Sequence, residues 1–439
     1  MRVHLGVDST DSLTKGMCTT YLGMILVRRL LELGVHFVDY PNLIRLNPNI
    51  PYKTRGNGAV ALRIDVLERK IEKVFTTARE TVEEMAVFSD PQTNPGIALL
   101  KGDVPDVLHE FYERALHRLL QVEDAYTAAE KVGARLHGYK NRRGVIGALA
   151  SIGEPLKRDH TYELLTYREE RNWGKKRCIN PETVIKMDKK IGEVFFNYDY
   201  EESTICIAPH TVCPVLMGIR GETAESVKEA ASMVDTGEPI SAYVIYRTNQ
   251  HTSFHFEKVS SVSDITDYSS IVLEGKVVRN PFAIQGGHIF FEIENKGRIF
   301  CAAFEPTKKF RDTVRNLIIG DFVRVYGGVQ PGSKDKMRAV NLERLDIIEV
   351  KTSAYANPQC SRCGKSMTSK GKEKGFECKR CKIKKRNKEL IHITRNISAG
   401  TYEPPPSAWR HLYKMRARKR TNAGKKIALI EGWIQSGNA

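Results

Sequence analysis

No run of the roughly 18 consecutive apolar residues needed for a membrane-spanning helix occurs in this chain, so no membrane partner is expected. There is no Gly-x-x-x-x-Gly-Lys-Ser/Thr loop, which excludes a Walker-type nucleotide site. No repeat of solenoid period and no long low-complexity linker appears. The nine cysteines are an odd number and five stand singly, which argues against a disulfide scaffold and for a reducing, cytoplasmic setting. The opening residues, Met-Arg-Val-His-Leu-Gly-Val-Asp, read as a strand and not as a signal peptide. Acidic side chains are scarce in one region: residues 351–439 hold five, against 22 basic ones. Residues 1–350 hold 47 of each, so the whole formal charge of +17 lies in the last 89 residues. That excludes a uniformly basic coat. It predicts a neutral body carrying a cationic module for a polyanion, nucleic acid before membrane surface.

What is present is a 439-residue chain of ordinary globular composition, 41% hydrophobic and 28% charged. At roughly 150 residues per domain this is about three domains. Val3, Leu5 and Val7 alternate into a strand that runs into Asp8-Ser9-Thr10-Asp11. Leu22, Ile25, Leu26, Leu30 and Leu33 repeat at helical spacing over 17–33, with Gly34 as a stop. Residues 59–66 read as a second strand, 68–88 as a helix, 105–133 as helical, and 144–152 as a small, apolar run. This alternation suggests an α/β or α+β first domain. Beyond residue 190, short strands with one helix over 222–235 suggest a small α+β sandwich. Five strand-like runs over 269–350, with a short helix at 308–318, match an OB-like barrel.

Two Cys-x-x-Cys knuckles, Cys360–Cys363 and Cys378–Cys381, are the strongest local signal. Together they offer four thiolates to one ion, the pattern of a closed, structural zinc site; an iron–sulfur centre uses the same ligands. Cys178, Cys206, Cys213 and Cys301 read mostly as buried core thiols. Around the knuckles lie Lys379, Arg380, Lys384, Lys385 and Arg386. Further on, Arg410, Arg416 and Arg418 alternate with Trp409, His411 and Tyr413. Cations neutralise phosphates and aromatic rings stack on unpaired bases, so these residues are expected to bind RNA. Asp8 and Asp11 sit at a strand end, where carboxylates can hold magnesium beside a nucleotide, or where Asp11 simply starts the next helix. Gly16 to Thr20 lies at a helix start and Arg142-Arg143-Gly144 opens the small-residue run; each suits phosphate or is an ordinary turn. The polar run Thr248 to His251, with His255 beyond it, is a turn or a substrate-contacting loop.

In order along the chain, GVDSTDS (6–12), GMCTTYLG (16–23), TRGNGAVAL (54–62), NRRGVIGALASIG (141–153), HTYELLTYR (160–168), PVLMGIRG (214–221), YRTNQHT (246–252) and GGVQPG (327–332), with the four cysteines, resemble the archaeal tRNA(Ile) 2-agmatinylcytidine synthetases. The resemblance implies a kinase-like catalytic domain (1–194), a ferredoxin-like domain (195–265), an OB-fold (266–350) and a zinc ribbon with a basic tail (351–439). It implies ATP-dependent attachment of agmatine to C2 of the wobble cytidine in the CAU anticodon of an isoleucine tRNA, through a phosphorylated intermediate. Asp8 and Asp11 are then expected to handle magnesium and ATP, with Gly16, Arg143 and Gly144 near the nucleotide, and Thr19 to be the autophosphorylated threonine. The family pattern has two adjacent aspartates where this chain has Asp8 and Ser9. A non-catalytic RNA- or single-stranded-DNA-binding protein is the alternative. Deleting residues 351–439 is expected to cost mainly tRNA affinity.

Overall fold

The computed structural model describes residues 1–334 and 336–436. Two α+β units share one large sheet, a closed barrel follows, and a small ribbon is inserted before a tail that returns to the body.

The first unit orders its strands Arg135–Gly138, Gly96–Lys101, Arg2–Asp8, Gly58–Asp65 and Asn42–Arg45. Every neighbouring pair is antiparallel, which corrects the expected α/β domain: its helices flank an antiparallel sheet. Helices Thr19–Glu32 and Ile71–Met85 cover one face, sealing Val3, Leu5, Val7, Leu62 and Ile64. Helices Asp106–His117, Val122–Val132 and Gly144–Gly153 cover the other. The expected single helix over 105–133 is broken at 118–121, where Arg118 and Gln121 are extended.

The small apolar run becomes the fully buried helix Gly144–Gly153. Its lack of side-chain bulk lets it lie on the sheet backbone: a Cβ added to Gly6 would stand 2.0 Å from the Ala148 carbonyl oxygen. The carbonyls at its C-terminal end have no intrahelical donors, and buried Arg63 donates to Ile152 and Glu154.

The second unit pairs Thr161–Tyr167 with both Val215–Gly221 and Ala242–Thr248, backed by helices Pro181–Lys190 and Ala224–Ser232. The boundary expected at residue 194 therefore cuts through a packed unit. The two units are stitched where Arg247 and Thr248 run parallel to Asn42 and Leu43. The buried pair Arg247–Asp39 (Nε–Oδ1 3.0 Å) clamps that seam.

Strands Ser270–Ala283, Ile289–Glu294, Arg298–Ala303, Ala339–Glu349 and Phe322–Gln330 close into a five-stranded barrel, the last pairing back to the first. Helix Phe310–Arg315 lies between the third and fourth strands in chain order, close to the expected pattern.

The tail corrects the expectation that residues 351–439 serve mainly tRNA affinity: strand Ile434–Ser436 pairs with Ala242–Val244, and Ile427, Leu429, Ile430 and Trp433 pack on the core. No helix among the described residues is long and apolar enough to cross a membrane.

Candidate active site and RNA-binding surfaces

Strand Arg2–Asp8 ends with Asp8 facing the buried helix. A Cβ on Gly147 would meet Asp8 Oδ2 at 1.9 Å, so only glycine leaves room for the carboxylate. Burial, with Asp11 adding like charge, pushes the Asp8 carboxyl up to about 8, despite a hydrogen bond from the Ser9 backbone. No cationic side chain among the described residues lies within 4 Å of it. Ser9 takes a left-handed backbone (φ 61°) that turns the chain towards Asp11.

Asp11 Oδ1 accepts the Thr19 N–H at 2.7 Å, at the start of helix Thr19–Glu32. It thus satisfies an orphan helix donor, as an N-terminal acid should, while remaining at the cavity wall. Thr19 is 2% exposed, and its Oγ1 accepts from Thr10 Oγ1 at 3.0 Å. The loop between them is pinned by Arg55, which donates to the carbonyls of Ser12 and Met17.

Two cavities meet here. One, about 430 Å³, opens between the first two units; Thr19, Arg45, Glu163, Phe196, Arg220 and His411 help line it. The other is a narrower slot of about 60 Å³ lined by Asp8, Ser9, Lys53, Arg118, Arg143 and Gly147, among others. Asp11, Arg55 and Gly58 face both. The slot combines half-buried carboxylates with four cations, counting Arg55, a composition suited to phosphate. Arg143 is fixed there by stacking 4.1 Å over Tyr52 and by donating to the Leu120 carbonyl.

The wide cavity has a polar floor. Glu163 is buried between Arg220 (2.8 Å) and Arg45 (4.0 Å). Arg220 Nε and Nη1 are buried without hydrogen-bond partners among the described residues. Unpaired buried donors are costly, so this floor is built to meet a polar ligand. Burial, with Arg220 adding to it, holds His251 neutral, with its pKa lowered to about 3; its Nδ1 donates to the Tyr413 carbonyl. The polar run at 248–251 is thus a buried structural turn.

Of the residues the sequence suggested, Asp8, Asp11, Thr19 and Arg143 line the two cavities. Arg55 stood out only as part of the polar turn 54–58, and Lys53, Glu163 and Arg220 were not marked out, although HTYELLTYR and PVLMGIRG contain the last two. Gly16 and Gly144 line neither cavity: Gly16 lies against Trp173, and Gly144 against Gly96.

The four ribbon sulfurs converge, all within 4.8 Å of one another, and Cys363 and Cys378 are 3.6 Å apart. A tetrahedral zinc with bonds of about 2.3 Å gives this spacing. Hydrogen bonds from the Arg362 and Cys363 backbone lower Cys360 to about 6, while contact with the other thiols raises Cys381 to about 12. Crowded thiols oppose each other's ionisation, and a bound cation removes that conflict. Of the single cysteines, Cys213 and Cys301 are buried as expected, but Cys178 is exposed.

Lys379, Arg380, Lys384, Arg386 and Arg416 are exposed; Lys385 is half-buried and paired with Glu389. Arg410 is half-buried, paired with Glu343 (3.3 Å). Arg418 was expected to face RNA and does not: it is 5% exposed and salt-bridged to Asp159 and Glu222. Tyr413 is likewise buried, and Trp409 stacks on Phe196.

Three family models match along the chain: the TiaS TCKD domain over 4–141, the TiaS FLD domain over 142–255, and the TiaS C-terminal zinc ribbon domain over 357–397. The isoleucine-tRNA 2-agmatinylcytidine synthetase TiaS of Pyrococcus horikoshii is 43% identical over 94% of this chain and 96% of its own length. That of Methanocaldococcus jannaschii is 39% identical over 94% and 97%. The chain belongs to the TiaS family. The solved complex of TiaS with its isoleucine tRNA and ATP matches with TM-score 0.84 at 38% identity, covering 97% of this chain and 99% of that one. The complex of TiaS with the same tRNA, AMPCPP and agmatine matches with TM-score 0.82 at 36% identity over 97% and 99%. The slot lies in the TiaS TCKD stretch apart from Arg143 and its neighbours, while Glu163, Phe196 and Arg220 belong to the FLD stretch. The wide cavity is therefore a product of both. The zinc ribbon match also decides between zinc and an iron–sulfur centre in favour of zinc.

Proposed function

We propose that this chain conjugates agmatine to C2 of the wobble cytidine in the CAU anticodon of an isoleucine tRNA, using ATP. The observation that carries the reading is the shared wall of the two cavities: Asp11 and Arg55 touch both a phosphate-suited slot and a wide polar cavity. Near full-length likeness to TiaS proteins solved with isoleucine tRNA, ATP, AMPCPP and agmatine supports it.

In this reading the first unit is the kinase-like catalytic domain, the second is ferredoxin-like and the barrel is an OB-fold. The barrel's strand order and its helix between the third and fourth strands support the last assignment. ATP phosphates lie in the slot among Lys53, Arg55, Arg118 and Arg143. Asp8 and Asp11 fit magnesium, being hard oxygen donors with like charge and no cationic partner in ion-pair range among the described residues; the ion would neutralise charge on the transferring phosphate.

The cytosine C2 oxygen attacks the γ-phosphorus of ATP, and ADP leaves. The primary amine of agmatine then attacks C2, and inorganic phosphate departs with that oxygen. Arg55 and Arg143 hold the phosphate chain in line with the base. The base must leave the anticodon stack to reach this depth, so the exposed ribbon cations serve as a separate grip on the tRNA. The test is to incubate protein, ATP, magnesium, agmatine and the tRNA, then weigh the digested nucleosides. Agmatinylated cytidine is expected; its absence with folded protein overturns the reading.

A further inference from the structure

The loop between strands Asn42–Arg45 and Gly58–Asp65 supplies one wall of the phosphate slot: Ile50, Tyr52, Lys53, Thr54, Arg55 and Asn57. Its later part is tied to the first unit, through Arg55 and the Ser12 and Met17 carbonyls. Its earlier part is tied to the barrel instead. Asn47 and Asn49 are 1% and 4% exposed, and both reach the segment that enters the first barrel strand. Asn47 Nδ2 donates to the Tyr268 carbonyl at 3.0 Å. Asn49 Nδ2 donates to the Tyr268 carbonyl (3.3 Å), the Ser269 carbonyl (3.2 Å) and the Ser270 hydroxyl (2.8 Å). Tyr268 holds a left-handed backbone (φ 63°), a strained conformation for so bulky a residue. Asn49 Oδ1 accepts from Arg410 at 2.5 Å, and Arg410 is paired with buried Glu343 of the barrel. The barrel thus grips this amide at both ends, directly at nitrogen and through Arg410 at oxygen. Among the described residues, every hydrogen bond from residues 48–53 to a residue outside the loop runs through it.

The barrel also makes room for it. Gly328, in the run GGVQPG, lies opposite Ser270, and a Cβ there would stand 2.0 Å from Asn49 Oδ1. Its backbone is not left-handed, so what glycine supplies is space. We propose that Asn49 is a positioning residue through which the barrel sets the ATP-phosphate slot. Tyr52, whose ring lies 4.1 Å beneath the Arg143 guanidinium, and Lys53 follow three and four residues later. A shift at Asn49 therefore moves one slot cation and the seat of another, and displaced donors hold phosphate less well. The barrel is in this way part of the nucleotide site although none of its residues lines the slot.

The proposal rests on the slot being the ATP site of the function above. The test is the affinity of the full-length protein for ATP with magnesium, by calorimetry. Gly328→Ala should weaken it about 10-fold. Asn49→Asp keeps the side chain's shape but turns its donor into an acceptor facing three oxygens; it should act in the same direction, and carries the test if Gly328→Ala misfolds. Val314→Ala, in the barrel core but outside this network, should lower the melting temperature and leave ATP affinity unchanged. In a Lys53→Met background, Gly328→Ala should add less than about twofold, because the two changes act on the same contact. Wild-type affinity in both Gly328→Ala and Asn49→Asp overturns the positioning role. So does a Val314→Ala loss as large as theirs, or full additivity with Lys53→Met. Lys53→Met without effect on ATP overturns the slot assignment itself, and this proposal with it. Weakened ATP binding in the barrel variants of a protein that makes no agmatinylated cytidine upholds the positioning and overturns the function.

Discussion

Arg418 and Asp159, 259 residues apart, form a buried bidentate pair, Nη1–Oδ2 at 2.6 Å and Nη2–Oδ1 at 2.8 Å. Glu222 takes the Nε side at 2.8 Å, so one tail side chain ties the tail to the second unit. Burial opposes the charge on Asp159, yet Arg418 and the Asn422 backbone hold its carboxyl well below the usual range. Arg418→Ala leaves buried Glu222 without a cation and Asp159 with Lys414 alone (3.0 Å), and should cost about 3 kcal/mol, read by denaturant unfolding. Because the Asp159 pKa is depressed, this contribution is present above about pH 4 and is lost as pH falls below it. An Arg418→Ala protein that unfolds like wild type would contradict it.

Ribbon and tail should separate on deletion. Removing residues 357–392, which keeps Arg395 on buried Asp321 (2.7 Å), should leave the melting temperature of the body and ATP binding near wild type while lowering tRNA affinity and flattening its salt dependence. Removing 400–439 should give a poorly folded protein, because the tail supplies core side chains and a sheet strand.

Asp8 should trade stability for function. Its folded pKa, near 8, lies above the unfolded value, so its favourable term is full below about pH 4 and is lost as pH rises towards 8. Asp8→Asn should therefore raise the melting temperature of the ligand-free protein at pH 8, with little change at pH 4. The same substitution should abolish ATP-dependent modification and leave tRNA affinity within about twofold. A lower melting temperature at pH 8 would refute the buried-carboxyl account.

Gly147→Ala should act through Asp8. The added methyl would lie 1.9 Å from Oδ2, so helix or carboxylate must shift. Loss of about 100-fold or more in modification rate is expected, since small misplacements at a reacting centre cost that much. A rate near wild type would show that Asp8 is not needed where it stands.

Thr19→Val removes one hydroxyl at a buried position without changing side-chain volume much. It should abolish transfer of label from γ-phosphate-labelled ATP to the protein, with stability reduced by about 1 kcal/mol for the lost Thr10 hydrogen bond. Labelling of the variant at the wild-type level would remove Thr19 from that role. Cys360→Ser with Cys363→Ser should eliminate zinc by metal analysis and weaken tRNA binding.

The features legible in the sequence were those made by neighbours in the chain. Cys360–Cys363 and Cys378–Cys381 are knuckles whose geometry is set by two intervening residues. Val3, Leu5 and Val7 alternate, and the barrel strands follow the same period, so these elements could be read directly. Asp8 and Asp11 came from a strand end, which is local, and Thr19 from the family resemblance. The tertiary structure decided everything that depends on distant partners. Arg418 looks like its exposed neighbours Lys419 and Arg420 until Asp159 and Glu222 are placed beside it. Strand Thr161–Tyr167 joins the second unit because its partners lie some 50 and 80 residues later. Glu163 and Arg220 become a cavity floor only when those strands pair. Local period and spacing determine which elements form; burial and charge pairing between remote residues determine which side chains remain free to act.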